Sequence, residues 1–330
     1  MLKMLIAISC FFSSLAADYA CRVDILPGLD FYDFPIDLNL VKSAGYSLRV
    51  SNQFFNGHDQ GYYEEEIRYD RDLKKIIVFN NTVDPMYLAI FPKKKLVLFL
   101  LEPLILQDAY FEPCSRVYTW NDDVVDGKKF YKLYYPYLRP MVDDIPSFEE
   151  KKLCVMVSGS DNEYPERKNE LYSERMKMVE FFETKPLGEF EIYGRYWIKR
   201  YYRDFRGSIP GDYAGPEKIS IIKNYRFCIC FENTKGLNGY ITEKIFGCFT
   251  AACVPIYWGA DNIERFIPKD CFIDYRDFET REDLYQFIKT MPKEVYQRYI
   301  DNISAFLKSP EAKVFSPEYF GKILYEAIAE

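Results

Sequence analysis

The stretch that decides the fold is residues 226–251, RFCICFENTKGLNGYITEKIFGCFTA. The five residues after Arg226 are an apolar run typical of a strand buried on both faces, and residues 242–251 carry a helical pattern. A glycine-bearing loop joins the two, and Thr242 is expected at the N-cap or in the first turn. Glu243 and Lys244 then lie in the first turn, where free amides, the helix dipole and the lysine charge favour an anion. This turn is predicted to bind a diphosphate. The alternative is that Glu243 and Lys244 form an ordinary ion pair on a solvated helix face.

Short apolar runs alternate with helical patterns on both sides of this stretch. Strands are predicted at residues 75–79, 95–101, 116–120, 153–158, 190–193, 225–231, 253–258 and 271–275. Helices are predicted at residues 167–182, 242–251, 281–290, 293–307 and 317–329. Continuously apolar strands that alternate with helices are typical of parallel sheets, so the predicted fold class is α/β and doubly wound.

A proline- and charge-rich break at residues 140–152, PMVDDIPSFEEKK, lacks periodicity and is typical of a linker. We therefore expect an N-terminal domain at residues 18–145 and a C-terminal domain at residues 150–330. The two are predicted to be Rossmann-like halves facing across a cleft, with the last helices free to pack back on the N-terminal domain. Ligands of such sheets bind outside the carboxyl ends of the strands.

Composition excludes several classes of protein. The 330 residues are 48% hydrophobic, enough for a sizeable core, and 43 Lys and Arg against 50 Asp and Glu give a charge of −7. Because nucleic-acid binders need the opposite balance, a nucleic-acid partner is not expected. The single histidine, His58, lies in a polar loop and is expected to be solvated, so acid–base chemistry should fall to carboxylates, Tyr or Lys.

The nine cysteines contain no CxxC pair, which argues against zinc-ribbon and thioredoxin-type sites. Four of them lie in apolar, strand-like runs and are expected to be small buried hydrophobes: Cys154, Cys228, Cys230 and Cys253.

The N-terminal residues 1–17 leave the compartment open. Residues 4–17, MLIAISCFFSSLAA, are too few for a transmembrane helix, which needs about 20 residues. They resemble a short signal peptide, but a buried first element or an over-extended start codon fits equally. Two N-glycosylation sequons, at residues 80–82 and 302–304, matter only in a eukaryotic secretory setting.

Residues 231–278 strongly resemble the signature block of glycosyltransferase family 10, the α-1,3/4-fucosyltransferases. Weaker similarity covers residues 95–103, 117–123, 153–158, 166–182 and 190–197, and none is recognised before about residue 70. The resemblance implies a GT-B fold and inverting transfer of L-fucose from GDP-fucose to a hydroxyl of a glycan acceptor, with an α-1,3 linkage to GlcNAc or Glc expected. The alternatives are a GT-B transferase for another nucleotide sugar and a catalytically silent glycan-binding protein. Such an enzyme would work in the bacterial cytosol, with peripheral membrane association allowed, or in the secretory pathway (Golgi) if residues 1–17 are a signal or anchor.

The resemblance also implies donor-binding roles for four residues of the signature block. Lys244 matches the lysine that contacts the donor diphosphate, and Glu243 matches the glutamate that contacts donor sugar hydroxyls. Asn233 and Tyr240 match donor-loop residues of the same motif. One departure is Gly239, which stands with Asn238 where an acidic residue often precedes the tyrosine, and it puts the donor preference in doubt.

Two further roles come from more weakly matching segments. Arg167 is the first match for the diphosphate arginine, and Arg175 is its rival; either guanidinium could hold two phosphate oxygens. Glu102 follows an apolar strand and precedes Pro103, so it should project from the strand end into the cleft as general base. A strand-terminal glutamate exposed to water is the alternative.

Metal ligation is the last question that the acidic residues raise. The pairs Asp70/Asp72, Asp122/Asp123 and Asp143/Asp144 resemble carboxylate metal ligands. With Lys244 and an arginine to neutralise the leaving diphosphate, we expect that no metal is required, with stimulation by Mn²⁺ or Mg²⁺ allowed.

Overall fold

The computed structural model describes residues 21–26, 37–44, 46–50, 73–80, 92–103, 111–160, 168–209 and 215–329. The first part of these forms a sheet in the strand order β2-β1-β3-β4-β5-β6, with all pairings parallel. Its strands are β1 (Cys21–Leu26), β2 (Tyr46–Val50), β3 (Leu73–Phe79), β4 (Leu96–Leu100), β5 (Arg116–Thr119) and β6 (Phe130–Lys132).

A second parallel sheet follows, in the order β12-β11-β10-β7-β8-β9. Its strands are β7 (Lys152–Val157), β8 (Phe190–Tyr193), β9 (Phe205–Gly207), β10 (Tyr225–Phe231), β11 (Val254–Trp258) and β12 (Ile273–Asp274). The predicted α/β class with two parallel sheets is confirmed. Strands β4 and β11 are apolar along their whole length, as is typical of strands that are covered on both faces.

The described helices are α1 (Asn39–Ser43), α2 (Tyr172–Phe182), α3 (Pro216–Ile222), α4 (Glu243–Thr250), α5 (Arg281–Thr290), α6 (Lys293–Leu307) and α7 (Pro317–Ala329). Short 3-10 turns lie at Lys93–Lys95, Ile263–Arg265, Lys269–Cys271, Tyr275–Asp277 and Glu311–Phe315. Among the described residues, no helix has the length and apolar character that a membrane span needs.

The last three helices coincide with their predictions, whereas two other elements are much shorter than predicted. The strand predicted at 271–275 shrinks to Ile273–Asp274, because the Asp274 side chain accepts a hydrogen bond from the Arg276 N–H at 2.9 Å and starts a 3-10 turn. The helix predicted from residue 167 begins at Tyr172 instead, and residues 161–167 lie outside the described part. The cysteines predicted to be buried, Cys154, Cys228, Cys230 and Cys253, are each 0–4% exposed.

The C-terminal helix returns to the first sheet. The Phe320 ring on α7 lies 6.4 Å from the ring of Phe79 and 5.8 Å from that of Phe99, centroid to centroid. Residues 133–151, between β6 and β7, contain no helix or strand. The domain limits at 18–145 and 150–330 stay predictions, and residues 1–17 lie outside the described residues.

Candidate active site between the two sheets

The amino end of α4 lies at the edge of the second sheet where its strands end. The Thr242 hydroxyl accepts a hydrogen bond from the Lys244 N–H at 3.4 Å, so Thr242 is the N-cap as predicted. Glu243 and Lys244 therefore begin the helix, and their side chains are only 19% and 21% exposed. An ordinary pair on a solvated face is thus the wrong reading of these two residues.

A buried carboxylate that the sequence analysis did not single out positions this turn. Glu232 follows β10 directly and is 0% exposed. Its two oxygens accept hydrogen bonds from the Thr242 N–H at 2.9 Å and from the Thr242 hydroxyl at 2.7 Å. One signal was available in the sequence, namely an acidic residue immediately after the apolar run at residues 227–231.

The Lys244 ammonium lies among three oxygen atoms. It is 3.1 Å from the Thr242 hydroxyl, 3.3 Å from a Glu243 oxygen and 3.3 Å from a Glu232 oxygen. Burial alone would lower the pKa of Lys244, but the carboxylates of Glu243 and Glu232 outweigh it and hold the pKa above its ordinary value. Lys244 therefore stays charged, and an incoming anion would compete with Glu243 for it.

Glu243 is held ionised by its cationic neighbours. Burial raises the pKa of its carboxyl, yet the charges of Lys244 and Lys218 more than compensate and leave that pKa below its ordinary value. A carboxylate that is charged and only partly exposed is a strong acceptor for sugar hydroxyls.

Arg175 reaches the same edge from α2. Its guanidinium donates to the Phe231 carbonyl at 2.8 Å, to the Asn233 side-chain oxygen at 2.9 Å and to the Ser158 hydroxyl at 3.3 Å. The structure thus brings Arg175 and Asn233 together, whereas Arg167, the first match for the diphosphate arginine, lies outside the described residues.

Glu102 enters from the first sheet, two residues beyond the end of β4. The Asn80 side-chain oxygen accepts hydrogen bonds from the N–H groups of Leu101 and Glu102, at 2.7 and 3.0 Å. The Trp120 indole donates to the Glu102 carbonyl at 3.3 Å. The backbone of Glu102 is therefore fixed, and its half-buried carboxylate adds to the field at Lys244, where it raises the pKa of the ammonium.

Tyr240 lies in an aromatic contact between the halves. Its ring is 1% exposed and packs edge-on, 4.9 Å from the Trp120 ring and 6.2 Å from the Tyr135 ring, centroid to centroid. Burial, with smaller contributions from Tyr135 and Glu102, holds the pKa of Tyr240 well above its ordinary value. In this structure Tyr240 is a packing residue beside the site, and its predicted donor contact stays a prediction.

Gly239 explains the departure from the family pattern before the tyrosine. Its φ is +85°, and an added β-carbon would lie 2.3 Å from the Trp120 carbonyl oxygen. Around it, Asn262 donates to an Asp122 oxygen at 2.7 Å and Asn238 donates to an Asp123 oxygen at 2.9 Å. An acidic residue at position 239 would collide with the first half of the molecule, so glycine permits the close approach.

In each acidic pair that the structure describes, at least one carboxylate has a protein partner. Asp122 accepts from Lys132 at 2.7 Å, and Asp144 pairs with Lys223. Asp70, Asp72 and His58 lie outside the described residues. Among the described residues, no group of three or more His, Cys, Asp or Glu side chains is placed to hold a metal ion.

Comparison with solved structures identifies the fold. Two solved structures are described as "Crystal Structure of alpha1,3-Fucosyltransferase with GDP" and "Crystal Structure of alpha1,3-Fucosyltransferase with GDP-fucose". They match with TM-scores of 0.55 and 0.54 at 14% and 15% identity, over 97% of this chain and 94% of each of theirs. The fold is therefore GT-B, the two-sheet fold of many glycosyltransferases.

The family description "Glycosyltransferase family 10 (fucosyltransferase) C-term" matches residues 149–309. Over these residues, just under half of the chain, the sequence is similar to glycosyltransferase family 10. The alpha-(1,3)-fucosyltransferase FucT of Helicobacter pylori is 34% identical over 77 residues, covering 23% of this chain and 16% of that protein. Human 4-galactosyl-N-acetylglucosaminide 3-alpha-L-fucosyltransferase 9 is 30% identical over 157 residues, covering 47% of this chain and 36% of that protein. The matched part of this chain thus corresponds to little more than a third of the length of the human protein.

Proposed function

We propose that this protein is an inverting fucosyltransferase that moves L-fucose from GDP-fucose to a hydroxyl of a glycan acceptor. The observation that carries the proposal is that the Glu102 carboxylate, from the first sheet, lies close enough to Lys244, from the second, to raise the pKa of the Lys244 ammonium. A carboxylate base and a phosphate-binding cation on opposite sides of one site are what transfer between two substrates needs. The family match over residues 149–309 and the likeness in fold to an α1,3-fucosyltransferase bound to GDP-fucose support the donor.

The donor diphosphate is assigned to the amino end of α4. Lys244 and one arginine, Arg175 or Arg167, neutralise the negative charge that develops on GDP as it leaves. Asn233 and Glu243 contact the donor, Glu243 through the sugar hydroxyls. With cationic side chains and helix amides to stabilise the leaving group, we propose that transfer needs no metal and proceeds in EDTA, with Mn²⁺ or Mg²⁺ at most stimulating it.

The bond changes follow from this placement. The acceptor oxygen forms a bond to the anomeric carbon while the bond from that carbon to the β-phosphate oxygen breaks, which inverts the configuration from β to α. Glu102 accepts the proton of the attacking hydroxyl, and GDP carries away the electron pair and its charge. We propose the 3-hydroxyl of GlcNAc or Glc as the attacking group.

A turnover assay tests the proposal. Full-length protein would be incubated in EDTA with GDP-fucose and N-acetyllactosamine or lactose, and the product detected by mass spectrometry. Release of GDP with a mass gain of one fucose is expected, together with loss of product in Glu102→Gln. Binding of GDP-fucose without product on either sugar would contradict the acceptor, whereas transfer from another nucleotide sugar would contradict the donor.

A further inference from the structure

Three large apolar side chains are exposed close together in the loop between β8 and β9. Tyr196, Ile198 and Tyr201 are 69%, 49% and 61% exposed. In the described part of the chain seven large hydrophobic side chains are exposed, and these three lie within six residues of one another. Single exposed hydrophobic residues are ordinary on a protein surface, whereas a local group of them is typical of an interaction site.

The loop is held in shape by Trp197, the one residue of this group that points inward. Its indole donates a hydrogen bond to the Ser158 carbonyl at 2.6 Å, and its ring packs edge-on 4.8 Å from the Tyr202 ring, centroid to centroid. The neighbouring Tyr196 has a φ of +68°, a left-handed backbone that is rare for a bulky residue. A strained backbone that leaves a large ring in solvent costs stability, and such strain is typical of functional sites.

The same loop is positively charged. Residues 195–202 contain three cationic residues and no acidic one, on a chain whose net charge is −7. Two of the cations, Lys199 and Arg200, lie exposed between the apolar side chains, and the Arg200 guanidinium packs 4.6 Å from the centroid of the Tyr201 ring. We refer to the set of five exposed residues as the loop patch: Tyr196, Ile198, Lys199, Arg200 and Tyr201.

An anionic membrane surface fits the loop patch better than a protein or a nucleic acid does. Three apolar side chains offer much less area than the roughly 800 Å² that each partner buries in a stable protein interface. The negative charge of the whole chain opposes binding to nucleic acid. A membrane interface accommodates tyrosine rings at the level of the headgroups, and shallow insertion together with attraction to anionic lipids is enough to bind it.

We propose that the loop patch docks this protein on an anionic lipid surface, with its three apolar side chains at the level of the headgroups and its two cations against the lipid phosphates and carboxylates. The docked loop is anchored beside the candidate active site, because the Ser158 residue that binds Trp197 also accepts a hydrogen bond from Arg175 through its hydroxyl, at 3.3 Å. Docking therefore holds this edge of the second sheet close to the membrane. It does not depend on fucosyl transfer.

Co-sedimentation of the full-length protein with lipid vesicles tests the proposal. Vesicles of phosphatidylcholine alone are compared with vesicles of phosphatidylcholine and phosphatidylserine in equal amounts. The wild type is expected to bind the mixed vesicles more tightly, and less so in high salt, which screens the attraction. Lys199→Gln combined with Arg200→Gln should weaken this binding by about 10- to 30-fold. The matched control, Lys313→Gln with Lys322→Gln, removes two exposed charges elsewhere and should not change it.

A second variant tests the apolar side chains, with Tyr196→Gly, Ile198→Ser and Tyr201→Ser combined. Glycine at position 196 relieves the left-handed backbone, so this variant is expected to fold. It should bind the mixed vesicles about tenfold more weakly or worse, because the inserted apolar surface is lost. Leu187→Ser, at a leucine that is 68% exposed in another loop, is the control and should bind as the wild type does.

Three results would overturn the proposal. One is the absence of binding to the mixed vesicles, and another is binding that neither variant weakens, which would place the membrane contact elsewhere in the chain. The third is binding to soluble heparin but not to vesicles, with loss in the Lys199 and Arg200 variant, which would make the loop patch a site for a soluble polyanion. Weaker vesicle binding in the charge variant alone would rule out insertion of the rings. Vesicle binding is measured without nucleotide, so its outcome is independent of the proposed transfer.

Discussion

The carboxylate of Glu232, which has no contact with solvent, lies 3.3 Å from the ammonium of Lys244. The same carboxylate holds the N–H and the hydroxyl of Thr242, the N-cap of α4. The Lys244 ammonium and the amino end of α4 are therefore both held by one buried acidic group. A change at Lys244 consequently affects both ligand binding and folding stability.

Lys244→Ala should weaken binding of GDP by about 10- to 100-fold through loss of a charge-assisted contact. It should also lower the free energy of unfolding by about 3 kcal/mol, because Glu232 is left buried without its cation. Calorimetry and urea unfolding measure the two effects. Lys177→Ala, at an exposed lysine paired with Glu174, is the control and should change neither. GDP affinity at the wild-type level in Lys244→Ala would contradict the diphosphate assignment.

Gly239→Ala and Gly188→Ala form a matched pair. Both glycines have left-handed backbones, with φ of +85° and +92°, but nothing lies within 4 Å of an added β-carbon at Gly188. Gly188→Ala should cost about 1 kcal/mol of unfolding free energy through backbone strain. Gly239→Ala should cost about 1–3 kcal/mol more, because its β-carbon meets the Trp120 carbonyl. Equal losses of unfolding free energy in the two variants would show that stability does not depend on the close contact between Gly239 and the Trp120 carbonyl.

Glu102→Gln should leave GDP-fucose binding unchanged and reduce turnover by about 10²- to 10⁴-fold, the range of general-base catalysis. The amide keeps the size of the side chain but cannot accept the acceptor's proton. Steady-state rates across pH, with GDP titrations alongside, measure both quantities. Glu112→Gln, at a glutamate whose side chain is 80% exposed, is the control. Near-normal turnover with unaltered pH dependence in Glu102→Gln would rule out this base.

Features of the fold that neighbouring residues determine could be predicted from the sequence, whereas features that depend on distant contacts could not. The N-cap at Thr242 and the limits of α5, α6 and α7 follow from neighbouring residues, and the sequence predicts them. The strands β6 and β9 are three residues long and have no apolar run, so no local pattern distinguished them. Their existence depends on neighbouring strands.

The candidate site shows the same division. Glu243 and Lys244 were predictable because helix capping and a family motif both place them. Gly239 and Glu232 were not, because their roles arise from contacts with Trp120, which lies in the other half, and with Thr242, ten residues further on. Tyr240 was expected in the donor loop, but its ring packs against aromatic rings from the other half of the chain.

Arg175→Ala is expected to weaken GDP binding by about tenfold or more, and by more than Arg167→Ala, because Arg175 is bonded to Asn233 at the edge where Lys244 lies. Calorimetric titration of the two variants with GDP compares them directly. Arg175→Lys controls for charge, since a lysine keeps the charge but loses the fork geometry. A larger loss in Arg167→Ala would make Arg167 the phosphate ligand and Arg175 a structural residue.

The contribution of ionised Glu243 to the free energy of unfolding should be lost at acidic pH. Its pKa in the folded protein lies below the ordinary value of 4.5, so its contribution to stability is complete above about pH 4.5. That contribution is lost as the pH falls through the lowered pKa. The stability difference between wild type and Glu243→Gln should therefore be constant above about pH 4.5 and shrink as the pH falls below it in urea unfolding. Glu264→Gln, at a glutamate 56% exposed, is the control, and a difference that does not change with pH would contradict the assignment.

The most direct test of the central claim is calorimetric titration of the full-length protein with GDP-fucose in EDTA, with GDP-mannose and UDP-galactose as controls. Selective binding of GDP-fucose, lost in Lys244→Ala and kept in Glu102→Gln, is the predicted result. Failure of every GDP-sugar to bind would contradict the donor site at the amino end of α4 and, with it, the proposed fucosyl transfer.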